Sequence, residues 1–201
     1  MIRLGLDFDN TLITYDSLFH KIALSQGLIP DTIKKNKTSI RNFLRENGQE
    51  EKFTLLQGEV YGARINEADQ AVGMLSALGN LSIYNIELFI VSHKTKIPYI
   101  GPKYDLHNSA EKWLERNEFF SQEGLAISRN NVYFELTKEE KIKRISTLNC
   151  THYIDDLPEI LEIINSNTQK ILYDPLNTHE KLNKFIKLKD WKDLNEVLDI
   201  Y

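Results

Sequence analysis

Five short apolar runs recur along the chain: IRLGLDF (2–8), ELFIVS (87–92), NVYFEL (131–136), HYID (152–155) and KILYD (170–174). Several lack clean alternation of apolar and polar residues, which predicts strands buried on both faces. Segments of helical periodicity separate them. NEADQAVGMLSAL (66–78) precedes the second run, and NSAEKWLERN (108–117) follows it with Asn108 or Ser109 as N-cap. KEEKIKRISTL (138–148) sets Ile142 and Ile145 on one face, and LPEILEIIN (157–165) follows the fourth run. DWKDLNEVLDIY closes the chain as a helix capped by Asp190. Strands alternating with helices predict an α/β fold, a parallel sheet with helices on both faces.

Residues 13 to about 65 break the alternation. They read as three helices, YDSLFHKIALSQG, DTIKKNKTSIRNFLREN and EEKFTLLQGEVYG, punctuated by Pro30 and Gly48. This predicts a helical insertion (13–65) in a core built from 1–12 and 66–201. The length suits one such domain. A net charge of −4 argues against a nucleic-acid polymer as partner. No apolar run is long enough to span a membrane. The single cysteine, Cys150, rules out an intrachain disulfide, and the N-terminus reads straight into a strand without a signal-peptide core. A cytoplasmic location is the expectation.

The first run ends in two carboxylates, Asp7 and Asp9, two residues apart. Residues i and i+2 of a strand share a face, so both would project into the crevice at the carboxyl edge of a parallel sheet. The plainer reading is a strand end and turn, since Asp-Asn-Thr is good turn chemistry. The fourth run ends likewise in Asp155 and Asp156, where Asp156 could simply cap the helix opened by Pro158. Together the two acidic pairs form a hard, oxygen-rich site suited to Mg2+. Ser92 ends the second run with a hydroxyl that could bond a phosphate oxygen. Lys138, Lys141 and Lys143 sit near a helix start, where a charge run is ordinarily a solvated face.

In this order, D-x-D-x-T after the first strand, Ser92, an upstream lysine and a strand-end acidic pair resemble the haloacid dehalogenase-like (HAD) hydrolase superfamily. The resemblance covers almost the whole chain outside the insertion. It implies a Rossmann-like parallel sheet flanked by helices, with 13–65 as a C1-type cap. It also implies Asp7 as nucleophile, forming an aspartyl-phosphate, and Asp9 as acid and base. Ser92, Lys141 and the turn residue Asn10 are then the phosphate-binding set, with Lys138 as the alternative lysine. Mg2+ would be held by Asp7, the backbone carbonyl of Asp9 and Asp156, with Asp155 behind or sharing that role. An aspartate at position 9 favours phosphate esters over halides, because an alkoxide leaving group needs a proton. The implied activity is a Mg2+-dependent phosphatase acting on a small phosphorylated metabolite. The short spacing from Lys141 to YIDD also resembles 5′-nucleotidases, and a binding or regulatory module with little turnover is the non-enzymatic alternative. Tyr15, Asp16, Phe19, His20 and the basic residues Lys34, Lys35, Lys37, Arg41 and Arg45 are candidates for reading the substrate, or equally for packing and solvated surface.

Overall fold

The computed structural model describes residues 1–200. Its strands, in chain order, are β1 Ile2–Leu6, β2 Ile13–Thr14, β3 Asp69–Gln70, β4 Ile86–His93, β5 Val132–Glu135, β6 His152–Asp155, β7 Gln169–Tyr173 and β8 Ile186–Leu188. Its helices are α1 Asp16–Ser25, α2 Lys37–Glu46, α3 Glu50–Tyr61, α4 Met74–Asn80, α5 Leu106–Arg116, α6 Lys138–Thr147, α7 Pro158–Ile163 and α8 Leu194–Val197. Six strands form one sheet in the order β5-β4-β1-β6-β7-β8, and each pairing described is parallel. The fold is Rossmann-like α/β. No helix among the described residues is long and apolar enough to cross a membrane.

The sheet is wound outward from β1 to β4 and β5, then returns to the other side of β1 for β6, β7 and β8. That reversal at β1 is a topological switch point, where parallel sheets open a crevice beyond their carboxyl ends. The register levels Leu6 with Ile90 on one neighbour and with Ile154 on the other. One face of the sheet carries Phe89, Val91, Tyr153 and Leu172, which pack against Ile145 of α6 and Ile160 and Leu161 of α7. Gly5 lies level with Phe89 and Tyr153 in this face. A Cβ there would stand 2.5 Å from Tyr153 Cδ2 and 3.1 Å from Cys150 Sγ. The missing side chain lets the Tyr153 ring lie across β1 and donate its hydroxyl to the Val91 carbonyl. Cys150 is buried beside it, and burial pushes its thiol up to about 11.

Several elements depart from the sequence expectation. The helix expected over 66–78 begins only at Met74, because Gly73 takes a left-handed φ of 78° and residues 69–70 form β3 instead. α5 starts at Leu106 with Asp105 as its cap, ahead of Asn108 and Ser109. The second insertion helix covers only Lys37–Glu46, capped by Asn36. The C-terminal helix shrinks to a short 3-10 turn capped by Asp190 and then Leu194–Val197. β8 was not expected. It is a three-residue edge strand with Lys187 at its centre and Ile186 exposed, too short and too polar to read as a buried run.

The chain divides into two compact units. The α/β unit holds 1–12, 70–94 and 118–201, and the second unit holds 13–69 and 95–117. In the second unit, α1, α2 and α3 bury Phe19, Ile22, Ile40, Leu44, Phe53 and Val60. The segment 95–105 lies along α3, where Gly58 and Gly62 make room for it. A Cβ at Gly62 would come within 2.6 Å of Tyr104, and one at Gly58 within 3.1 Å of Pro98. α5 adds the fully buried Trp113, whose indole N–H donates to the Ala68 carbonyl at 3.1 Å.

Gly5→Ala is expected to destabilise the fold by about 1–3 kcal/mol through overpacking against Tyr153. Urea unfolding checks this as a lower midpoint with an unchanged slope, and an unchanged midpoint would contradict the packing described.

Candidate active site

β1 stops at Leu6, so Asp7 and Asp9 lie just beyond the strand rather than inside it. Asp7 still joins the ladder, donating its N–H to the Ile154 carbonyl at 2.9 Å. Since Leu6 is level with Ile154, Asp7 is level with Asp155. Both continue the row that carries Gly5 and Tyr153, the row over which α6 packs. The start of α6 is fixed by a capping box between Thr137 and Glu140. That phase turns Lys141 and Ile145, one turn apart, toward the sheet, and both are buried.

Lys141 therefore reaches both acids. Its Nζ donates to Asp7 Oδ1 at 2.6 Å and to Asp155 Oδ2 at 2.6 Å. Lys138 does not enter the site; it is exposed, with its ammonium 3.8 Å from the Glu159 carboxylate. The Ser92 hydroxyl donates to Asp7 Oδ1 at 2.9 Å. Asp155 Oδ1 accepts the Leu157 N–H at 2.9 Å, so Asp155 rather than Asp156 holds the turn into α7. Asp156 is half-buried, and its side chain makes no cap bond to the helix. Asn10 follows Asp9 in a left-handed turn with φ of 57° and is exposed.

One further residue stands in the site that the motifs do not single out. Lys94 Nζ donates to both carboxylate oxygens of Asp9, at 2.8 and 3.0 Å. The signal was its spacing: the Lys94 N–H donates to the Glu135 carbonyl at 2.8 Å, carrying the β4 ladder one step on, so Lys94 shares the side of Ser92.

Among the described residues, Asp7, Asp155 and Asp156 each offer an oxygen within 4.8 Å of the others. With Asp9, four carboxylates face two ammonium groups, and the electrostatics record the imbalance. Burial opposes the charge on Lys141, but Asp7, Tyr153 and Asp155 hold it protonated well above the ordinary lysine range. Burial and then the charge of Asp7 push Asp155 up to about 7, against the pull of Lys141 and the Leu157 N–H. Burial, Asp7 and Asp155 push Asp156 upward as well.

The candidates for reading the substrate fall in the second unit. Tyr15, Phe19 and His20 are buried, with Tyr15 edge-on to Tyr61 at 4.8 Å and the His20 ring 3.1 Å from the Ile33 carbonyl. The Lys37 ammonium lies over the Phe19 and Tyr61 rings at 5.7 and 5.4 Å, and the Asp16 carboxylate accepts the Lys37 N–H. Arg45 pairs with Glu50 on the surface.

The Asp155 shift has a definite sign. Its folded value of about 7 lies above the ordinary 3.8, so the folded chain binds the extra proton between these values. Stability then falls as pH rises through that window and stays lowered above it. In chelator, wild type is expected to lose about 1–3 kcal/mol more stability than Asp155→Asn between pH 5 and pH 8. Urea unfolding of both proteins at both pH values tests this, and an equal loss in the two would refute it.

No model of a known protein family matches the chain. A curated relative from Oceanobacillus iheyensis, named "Putative nucleotidase OB0422", is 23% identical over 198 residues, covering 96% of this chain and 97% of its own length. The crystal structure of the "putative HAD-hydrolase YfnB" of Bacillus subtilis, bound to magnesium, superposes with a TM-score of 0.66 at 13% identity over 99% of both chains. A HAD-superfamily hydrolase of Geobacter sulfurreducens, subfamily IA, variant 1, gives a TM-score of 0.60 at 12% identity over 98% of this chain and 96% of its own. Sheet order, helix placement and these superpositions agree: the chain has the fold of the HAD-superfamily hydrolases.

Proposed function

We propose that the chain is a Mg2+-dependent phosphatase that hydrolyses a small phosphate monoester through Asp7. The observation that carries this reading is the setting of the Asp7 carboxylate. Its Oδ1 takes the hydrogen bonds of both Lys141 and Ser92. Oδ2, which takes neither, is the oxygen that attacks phosphorus. The two donors fix the carboxylate plane and set an ammonium and a hydroxyl beside it, the kind of groups that phosphoryl transfer asks of a protein. Attack by Oδ2 breaks the bond from phosphorus to the ester oxygen, and Asp9 gives that oxygen its proton. Asp9 then takes a proton from water as the water attacks the aspartyl-phosphate, releasing phosphate and restoring Asp7.

The donor set fits Mg2+. It is all oxygen, and Asp7, Asp155 and Asp156 each bring an oxygen within 4.8 Å of the others. Asp155 has both oxygens engaged, by Lys141 and by the Leu157 N–H. Asp7 and Asp156 are the carboxylates to hold the ion, joined by the Asp9 carbonyl as the HAD resemblance implies, with Asp155 supporting them. The ion would supply charge for the phosphoryl oxygens and relieve the repulsion among the acids.

A nucleoside monophosphate is the second reading of the substrate, favoured by the name of the Oceanobacillus relative. Sugar phosphates, amino-alcohol phosphates and nucleotides should be compared in one panel, with wild type and Asp7→Asn, each with Mg2+ and with chelator. Phosphate release is expected only from wild type with Mg2+, with Asp7→Asn lowered by at least about 1000-fold. Lys141→Met should lose a similar factor. No release from any ester by folded, Mg2+-binding protein would favour a binding module instead.

A further inference from the structure

We propose that Lys94 is the positioning residue of Asp9: it fixes the carboxyl group at the leaving oxygen and stabilises the charge left there once the proton has gone. The inference rests on the phosphatase reading above and adds a residue to it.

Asp9 needs such a partner. It lies past the end of β1, and Asn10 beside it is already in a left-handed turn. A single β-bridge holds its backbone, while its side chain is 30% exposed. Lys94 is fixed where Asp9 is not. Its backbone N–H is tied to Glu135, its side chain is 3% exposed, and its ammonium lies 5.3 Å over the ring of the fully buried Phe8. An ammonium so enclosed has already lost its rotamer freedom, so pairing with both Asp9 oxygens orders the acid at little further entropic cost. The two lysines divide the work. Lys141 serves Asp7 and Asp155, while Lys94 serves Asp9.

The chemistry gives this a selective consequence. When the ester bond breaks, its electron pair goes to the leaving oxygen, and an alkoxide must take the proton from Asp9 as it departs. A nitrophenolate departs without one. Loss of Lys94 should therefore slow the first step, transfer to Asp7, far more for alkyl esters than for aryl esters, whereas general damage to the fold or to phosphate binding would slow that step for both alike.

The test compares kcat/KM, which reports only the steps up to departure of the leaving group and not the hydrolysis of the aspartyl-phosphate that both esters share, on an alkyl phosphate and on p-nitrophenyl phosphate for wild type, Asp9→Asn, Lys94→Met and Lys94→Arg, with Mg2+. Lys94→Met is expected to lose about 100-fold or more on the alkyl ester and less than about tenfold on the aryl ester, in the direction of Asp9→Asn. Lys94→Arg, which can fork onto both oxygens, should recover most of the alkyl rate. Equal losses on both esters overturn the role of Lys94 while leaving the phosphatase reading intact. Wild type that hydrolyses neither ester overturns that reading itself. If Lys94→Met does not fold, Lys94→Gln against Lys94→Arg carries the comparison. A lower alkyl-to-aryl ratio for Gln alone supports the role, and equal ratios overturn it.

Discussion

A single buried ammonium, that of Lys141, joins the carboxyl ends of two neighbouring strands. Asp7 follows β1 and Asp155 ends β6, and Lys141 bonds both at 2.6 Å with almost no exposure to water. Two carboxylates at that depth cannot stay charged side by side without it. Much of the surrounding structure serves to deliver it. The capping box fixes the phase of α6, Ile145 anchors the helix on the sheet, and Gly5 leaves the space in which Tyr153 lies beneath it. Truncating the lysine would strand two buried acids.

The cost of the arrangement remains visible. Burial, and then the charge of Asp7, hold the protons of Asp155 and Asp156 more tightly than usual against the pull of Lys141. Ionising such a cluster at neutral pH costs stability, which the hydrophobic core beneath it must offset.

The sequence shows this site in uneven measure. Acid pairs at the ends of apolar runs are legible because a buried strand has no packing use for them, and the order of strands and helices brings those ends to one edge. Lys138 and Lys141, three apart, share a helix face, so the preference for Lys141 by its spacing to YIDD depends on where α6 begins along the sheet, which the Thr137 capping box sets. Lys94 is hidden for a different reason. It falls in a polar, Pro- and Gly-marked stretch that reads as loop, although its register continues that of Ser92. β8 and the late start of α4 are lost because a three-residue edge strand and a left-handed glycine leave almost no periodic signal. The membership of 95–117 in the second unit depends on glycine notches on α3 and on Trp113, long-range features that no local pattern records.

That membership bears on how the chain is made. A ribosome delivers 13–69 early, but the unit these residues build is finished only when 117 has emerged. β1 waits longer. Its partner β4 is complete at residue 93 and its other partner β6 only at 155, so one side of an apolar strand stays open until residue 155 has emerged. Nascent chains with unpaired strand edges are the species that aggregate. The order of emergence makes the stretch between 94 and 155 the interval in which this protein depends most on protection, and a chain truncated there would be a substrate for chaperones rather than a smaller folded domain.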